Sequence, residues 1–216
     1  MKKTVLFDLD GTLIDSTPAI LDGFRTAFTT QRKPTPSDEA IKALVGYPLD
    51  IIFARLGVAE KAVQDYIDIY KDRYRQIYLE QTTLLEFAKE ALELASKNAN
   101  LGIVTTKTTK YSINILENLG VMKFVKTVVG RDDVIHPKPD PEPINLALTR
   151  LDKTSDEDRK NSFMIGDTIM DMLSAKGADI NPLGVLCGYQ NKEQLEKQTQ
   201  NIFKNSFEAV KFLSNL

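Results

Sequence analysis

Two aspartates separated by one residue, Asp8 and Asp10, close the apolar run at residues 5–7 and precede a Gly-Thr turn in VLFDLDGTL. Residues two apart on an extended chain share a face, so both carboxylates can approach one small ligand. A carboxylate can attack phosphorus to form an aspartyl phosphate, and a second one can move the proton of a leaving group or of water. Other apolar runs end in the same kind of chemistry. Thr105, Thr106 and Lys107 follow one run, Gly130 with Asp132 and Asp133 another, and Asp167, Thr168 and Asp171 in GDTIMD a third, while Lys138 sits in HPKPDPEP. Carboxylates brought together without a cation repel one another and hold their protons. A hard divalent cation with oxygen ligands, such as Mg²⁺, relieves that repulsion. A lysine and a threonine beside it suit a phosphoryl group.

Something must bring these positions to one place. Short apolar runs at 5–7, 101–104, 127–129, 163–165 and 183–186 are predicted strands, with segments of helical period between the later ones. Continuously apolar strands alternating with helices imply a parallel sheet covered on both faces, an α/β doubly wound fold. Ligands of such sheets bind outside the carboxyl ends of the strands, where all the residues above fall. Residues 17–80 break the alternation. They read as four helices, over 18–30, 37–45 with Ser37 as N-cap, 49–56 and 60–78, and show no convincing strand. The expected division is a core of residues 1–16 and 81–216 and an inserted all-helical unit of residues 17–80, placed to cover the carboxylate pair. In its last helix Tyr66, Tyr70, Tyr74 and Tyr78 form a stripe expected to be packing within that unit.

Composition narrows the classes. The 216 residues carry 28 Lys and Arg against 30 Asp and Glu, a net charge of −2, with 42% hydrophobic residues. That balance offers no footprint for nucleic acid and no polybasic block for an anionic membrane, and no run approaches the ~20 apolar residues of a membrane span. The single cysteine, Cys187, excludes an internal disulfide and a cysteine-based metal site, and reads as packing. A cytoplasmic protein, monomer or homodimer, is expected.

DLDGTLIDS, the Thr of GIVTT, the Lys of HPKPDPEP and GDTIMD together resemble the four motifs of the haloacid dehalogenase (HAD) superfamily, in their order, from Val5 to Asp171. The resemblance is closest to the phosphoglycolate-phosphatase-like branch, whose helical cap enters after the first strand. It implies a Rossmann-like core, Mg²⁺ as cofactor and a small phosphorylated substrate. It makes Asp8 the nucleophile and a metal ligand, and Asp10 the general acid/base, whose main-chain carbonyl also binds the metal. Thr105 binds phosphoryl oxygens and Lys138 neutralises the charge around the nucleophile. Asp167 is a direct metal ligand, and Asp171 holds the site through the metal's water or through Lys138. Thr106 stands where the family usually has Asn, and Lys176-Gly177-Ala178 replaces the usual Ala-Gly. Because branches that cleave carbon–halogen or carbon–phosphorus bonds lack an acid at the Asp10 position, the resemblance implies a phosphatase acting on phosphoglycolate or a sugar phosphate. A pyrophosphatase, a phosphomutase of the β-phosphoglucomutase kind and a non-catalytic binding module on the same fold are the alternatives.

In the predicted cap, the loop GYPLD is expected to reach down to the leaving group, with Tyr47 touching the substrate and Arg55 a lesser candidate. The only histidine, His136, and the turn residues Asp132 and Asp133 are read as structural.

Overall fold

The computed structural model describes residues 2–215. Strand β1 (Lys3–Phe7) leads through the short β2 (Ile14–Asp15) into four helices, α1 (Thr17–Thr30), α2 (Asp38–Lys42), α3 (Leu49–Arg55) and α4 (Val63–Ile77). The chain returns at β3 (Thr83–Leu84) and alternates through α5 (Ala88–Asn98), β4 (Ala99–Val104), α6 (Thr109–Asn118) and β5 (Thr127–Val129). Then follow α7 (Glu142–Arg150), α8 (Asp156–Lys160), β6 (Ser162–Gly166), α9 (Ile169–Gly177), β7 (Asn181–Val185), α10 (Lys192–Leu195), β8 (Ile202–Phe203) and α11 (Ser206–Ser214).

Six strands form one parallel sheet in the order β5-β4-β1-β6-β7-β8. The doubly wound expectation holds. Strand β1 lies between β4 and β6, so the chain winds outward from it in both directions and its carboxyl end is the switch point where ligands bind. Alternation along β1 sends Val5 and Phe7 into one core and Leu6 into the other, where it packs with Val104, Val129, Met164, Ile144 and Leu148. Both faces are therefore covered, as a parallel sheet requires.

The five expected strands are all present. The last is Asn181–Val185, one residue short of the expected end, and Leu186 is partly exposed beyond it. The edge strand β8 is new. Its two residues are too few to show a period. In the insert, Ser37 caps α2 as expected, accepting from the Ala40 N–H at 3.2 Å. That helix ends at Lys42, however, and residues 43–47 form a turn. The last helix begins as a 3₁₀ turn over Glu60–Ala62.

The insert has its own aromatic interior. Phe24 of α1 packs on Phe53 of α3 and Tyr70 of α4 at ring-centroid distances of 4.7 and 4.9 Å, and Arg73 of α4 bonds both oxygens of Asp22 of α1. Its two connections to the core pair with each other: β2 and β3 form an antiparallel ribbon, with Ile14 opposite Leu84.

Candidate active site

The site is built on the end of β1. The Asp8 N–H donates to the Ile165 carbonyl of β6 at 2.9 Å, which fixes the backbone there. The chain then turns, with the N–H groups of Leu13 and Ile14 both donating to the Leu9 carbonyl. Gly11 makes this turn at φ +79°, in the left-handed region that side chains disfavour. A Cβ there would also lie 2.5 Å from Oδ2 of Asp167. Asp8 and Asp10 both line a cavity of about 440 Å³ that opens between the sheet end and the helices of the insert.

Lys138 is buried, and each of its three ammonium protons has an acceptor. Nζ lies 2.9 Å from Asp8 Oδ1, 2.6 Å from Asp171 Oδ1 and 3.0 Å from the Val104 carbonyl at the end of β4. Burial opposes its charge, but the two carboxylates outweigh that and hold it protonated beyond the usual lysine range. Burial pushes the Asp8 carboxyl up to about 7; Lys138 opposes the rise and Asp171 adds to it. Asp171 sits in the first turn of α9, where the N–H and hydroxyl of Thr168 both donate to its Oδ2, at 3.0 and 2.7 Å. Asp167 accepts from the Thr12 hydroxyl at 2.9 Å and from the Tyr189 N–H at 2.8 Å. Burial, then Asp171 and Asp8, raise its carboxyl well above the ordinary range.

Asp8, Asp167 and Asp171 offer one carboxylate oxygen each, all within 4.8 Å of one another and all buried. Three buried carboxylates thus face a single ammonium, Lys138, among the described residues. This oxygen-only, under-neutralised donor set fits a hard cation such as Mg²⁺. The Asp10 carboxylate lies outside that cluster. It is 3.2 Å from Lys107 Nζ and accepts from the Ser16 hydroxyl.

Thr105 is buried just past β4. Its N–H donates to the Val129 carbonyl at 3.0 Å, and its Oγ1 accepts the Lys107 N–H at 3.2 Å, which leaves the hydroxyl proton free to donate. Thr106 is half-buried and lines the cavity. From the insert, Tyr47 also lines it. Gly46, at φ +105°, comes so close to the GDT loop that a Cβ on it would lie 3.3 Å from Thr168 Cγ2. The Arg55 guanidinium stacks 4.2 Å from the centre of the Tyr47 ring rather than lining the cavity itself.

Asp132 accepts the Thr109 N–H, and Asp133 accepts from Gly130 and Thr109 and pairs with Arg150. His136 is exposed. Cys187 is half-buried with its thiol 3.4 Å from the Gly11 carbonyl, and burial lifts its pKa to about 11. The tyrosine stripe is a correction. Tyr66 and Tyr70 pack inside the insert, but Tyr74 and Tyr78 reach the core, where Lys107 donates to the Tyr74 hydroxyl and Asn114 to that of Tyr78, both at 2.8 Å. Tyr70 and Tyr74 also line the cavity. The contacts of Lys107, Thr12 and Tyr189 were not legible beforehand. Thr12 stands inside DGT and Lys107 beside Thr105, but only their positions, not their partners, are local.

The model of the haloacid dehalogenase-like hydrolases matches residues 5–185. The chain belongs to that family. Pyrophosphatase PpaX of Bacillus velezensis is 34% identical over 90% of this chain and 92% of its own length. A phosphoglycolate phosphatase of Salmonella paratyphi A is 28% identical, covering 94% of this chain and 88% of its own. Among solved structures, a haloacid dehalogenase-like family hydrolase from Streptococcus pneumoniae superposes with a TM-score of 0.88 at 26% identity, over 98% of both chains. The expectations of a HAD fold and of an enzyme hydrolysing phosphoric monoesters are borne out at that level. Among the described residues of this HAD hydrolase, no helix is long and apolar enough to cross a membrane.

Proposed function

We propose that this HAD hydrolase is a Mg²⁺-dependent phosphatase of small phosphate esters that works through an aspartyl phosphate, with residues 17–80 as its cap. The observation that carries the reading is the pairing of Asp8 with the buried Lys138 at 2.9 Å, with Asp8 and Asp10 both in the lining of one cavity. Asp8, Asp167 and Asp171, with the Asp10 carbonyl, would hold the cation, which would supply charge neutralisation for the phosphoryl oxygens. An Asp8 carboxylate oxygen attacks phosphorus, and the bond from phosphorus to the ester oxygen breaks. Asp10 gives its proton to that leaving oxygen. Water then attacks the same phosphorus, its proton passes to Asp10, and the bond to Asp8 breaks to release phosphate. Lys138 offsets the charge of Asp8 throughout, and the free hydroxyl proton of Thr105 donates to a phosphoryl oxygen. Thr106 and Tyr47 contact the substrate from the two sides of the cavity.

Phosphoglycolate and sugar phosphates are the first substrates to test, in keeping with the similarity to phosphoglycolate phosphatase. Pyrophosphate is the second, in keeping with the similarity to a pyrophosphatase and with Lys71, Lys107 and Arg131 in the cavity lining. Phosphate release from a panel of these compounds, with Mg²⁺ or with chelator, decides the matter. Phosphorus retained on Asp8 in acid-quenched enzyme is the expected intermediate. Turnover of every compound by an Asp8→Asn protein at the parent rate would overturn the reading.

A further inference from the structure

Lys107 takes no part in the phosphoryl and proton transfers above, yet it is nearly buried, its side chain only 9% exposed. A lysine withdrawn from water needs partners, and its partners come from three parts of the molecule. Nζ is 3.2 Å from Oδ2 of Asp10, in the loop after β1. It donates at 2.8 Å to the hydroxyl of Tyr74 on α4, in the insert. Its own N–H is tied to Thr105 Oγ1 at 3.2 Å, beyond β4. Tyr74 is itself buried, stacked between Tyr70 and Tyr78 at ring-centroid distances of 5.7 and 5.5 Å, so its hydroxyl is held where α4 holds it. The other oxygen of Asp10 accepts from Ser16, next to the β2–β3 ribbon. Both oxygens of the carboxylate are therefore oriented, one of them by a cation whose second partner belongs to the insert.

We infer that Lys107 is a positioning residue for the reaction: it links the Asp10 carboxylate to Tyr74, so that Asp10 is aligned for proton transfer only while α4 is docked over the cavity. This rests on the reading of Asp10 as the acid/base. The link has a clear physical use. Water that entered an open site would meet a phosphorylated Asp8 with no aligned base, whereas docking of α4 excludes bulk water and completes the proton-transfer group in one motion.

The test separates the two half-reactions. A nitrophenolate leaving group departs without a proton, so the first step on para-nitrophenyl phosphate does not need Asp10, while attack of water on the phosphorylated Asp8 does. Rapid mixing of Lys107→Met with that ester and Mg²⁺ is expected to show a burst of about one nitrophenolate per active site. Steady turnover should then be slower than the parent's, on the order of 10²-fold, the cost of misplacing a reacting group by about 1 Å. On an alkyl phosphate ester kcat should fall by a similar factor with KM little changed. Tyr74→Phe, which keeps the stacked ring and removes only the hydroxyl, should shift kcat in the same direction by a smaller factor, and Lys107→Arg should recover part of the loss. Parental kinetics in both Lys107→Met and Tyr74→Phe, with Asp10→Asn inactive, would overturn the inference and leave the phosphatase reading intact. Equal slowing of burst and steady phases, with a lowered melting temperature, would also overturn it and make Lys107 a residue of packing. Parental turnover by Asp10→Asn would remove the reading on which the inference rests.

Discussion

The ammonium of Lys138 lies 2.9 Å from Oδ1 of Asp8, and both side chains are almost wholly shielded from solvent. The same ammonium is 2.6 Å from Asp171, so one cation holds two buried carboxylates in place. Replacing it leaves both without their protein counter-charge. Lys138→Met is expected to cost about 3–5 kcal/mol of stability, the usual penalty for breaking a buried ion pair from one side. Urea unfolding in chelator measures it, and added Mg²⁺ should restore part of the loss. An unchanged unfolding midpoint in chelator would show that the two carboxylates do not depend on Lys138.

Stability should depend on pH in a direction opposite to that of an ordinary surface carboxylate. Burial raises Asp8 from 3.8 to about 7 and Asp167 well above 3.8. Between those values the folded protein keeps protons that the unfolded chain has released. Stability from these groups is therefore full below the unfolded pKa and falls as pH rises toward the folded one. A cation bound only by the ionised, folded site offsets the fall. The gap in melting temperature between Mg²⁺ and chelator should accordingly be small near pH 5 and large near pH 8. A gap that is equal at both would contradict the assignment of the cluster.

Gly188 is expected to be intolerant of any side chain. A Cβ there would lie 2.0 Å from Asp167 Oδ2 and 2.5 Å from the Gly11 carbonyl, displacing the carboxylate from the cluster. Gly188→Ala should reduce Mg²⁺-dependent activity by about 10²-fold or more, as displaced reacting groups do, with the fold retained because Gly188 is exposed. Circular dichroism with phosphate-release kinetics checks both halves.

Mg²⁺ should support turnover and Ca²⁺ should inhibit it. Mg²⁺ keeps near-octahedral geometry at short distances, while Ca²⁺ accepts more ligands at longer ones and would engage Asp8 through both oxygens. Equal rates with the two ions, or full activity in excess chelator, would contradict this.

Tyr47 lines the cavity from the helical insert and is backed by Arg55 at 4.2 Å. Tyr47→Ala should change kcat/KM unevenly across natural esters by about 10-fold or more, since discrimination needs contacts that the chemical step does not. A uniform drop across all esters would make Tyr47 a support of the cap.

The ends of the strands were legible because a β-strand is a local object. An apolar run followed by carboxylates places Asp8 at a sheet end whatever lies around it, and the parallel topology then brings Thr105, Lys138, Asp167 and Asp171 to the same edge. The left-handed turn at Gly11 belongs with these. Other features depend on how elements dock. Tyr74 has the same period as Tyr66 and Tyr70, and nothing along α4 distinguishes a ring inside the cap from one whose hydroxyl meets Lys107. Gly188 follows a strand like many glycines, and only the approach of its loop to Gly11 and Asp167 makes it irreplaceable. Strand β8 exists because β7 offers an edge to pair with. Sequence alone determined which chemistry stands at the sheet end, since residue type and strand position are written along the chain. Tertiary structure decided that Lys107 meets the Asp10 carboxylate and that Tyr74 of α4 meets Lys107, because those contacts are made between elements distant in sequence.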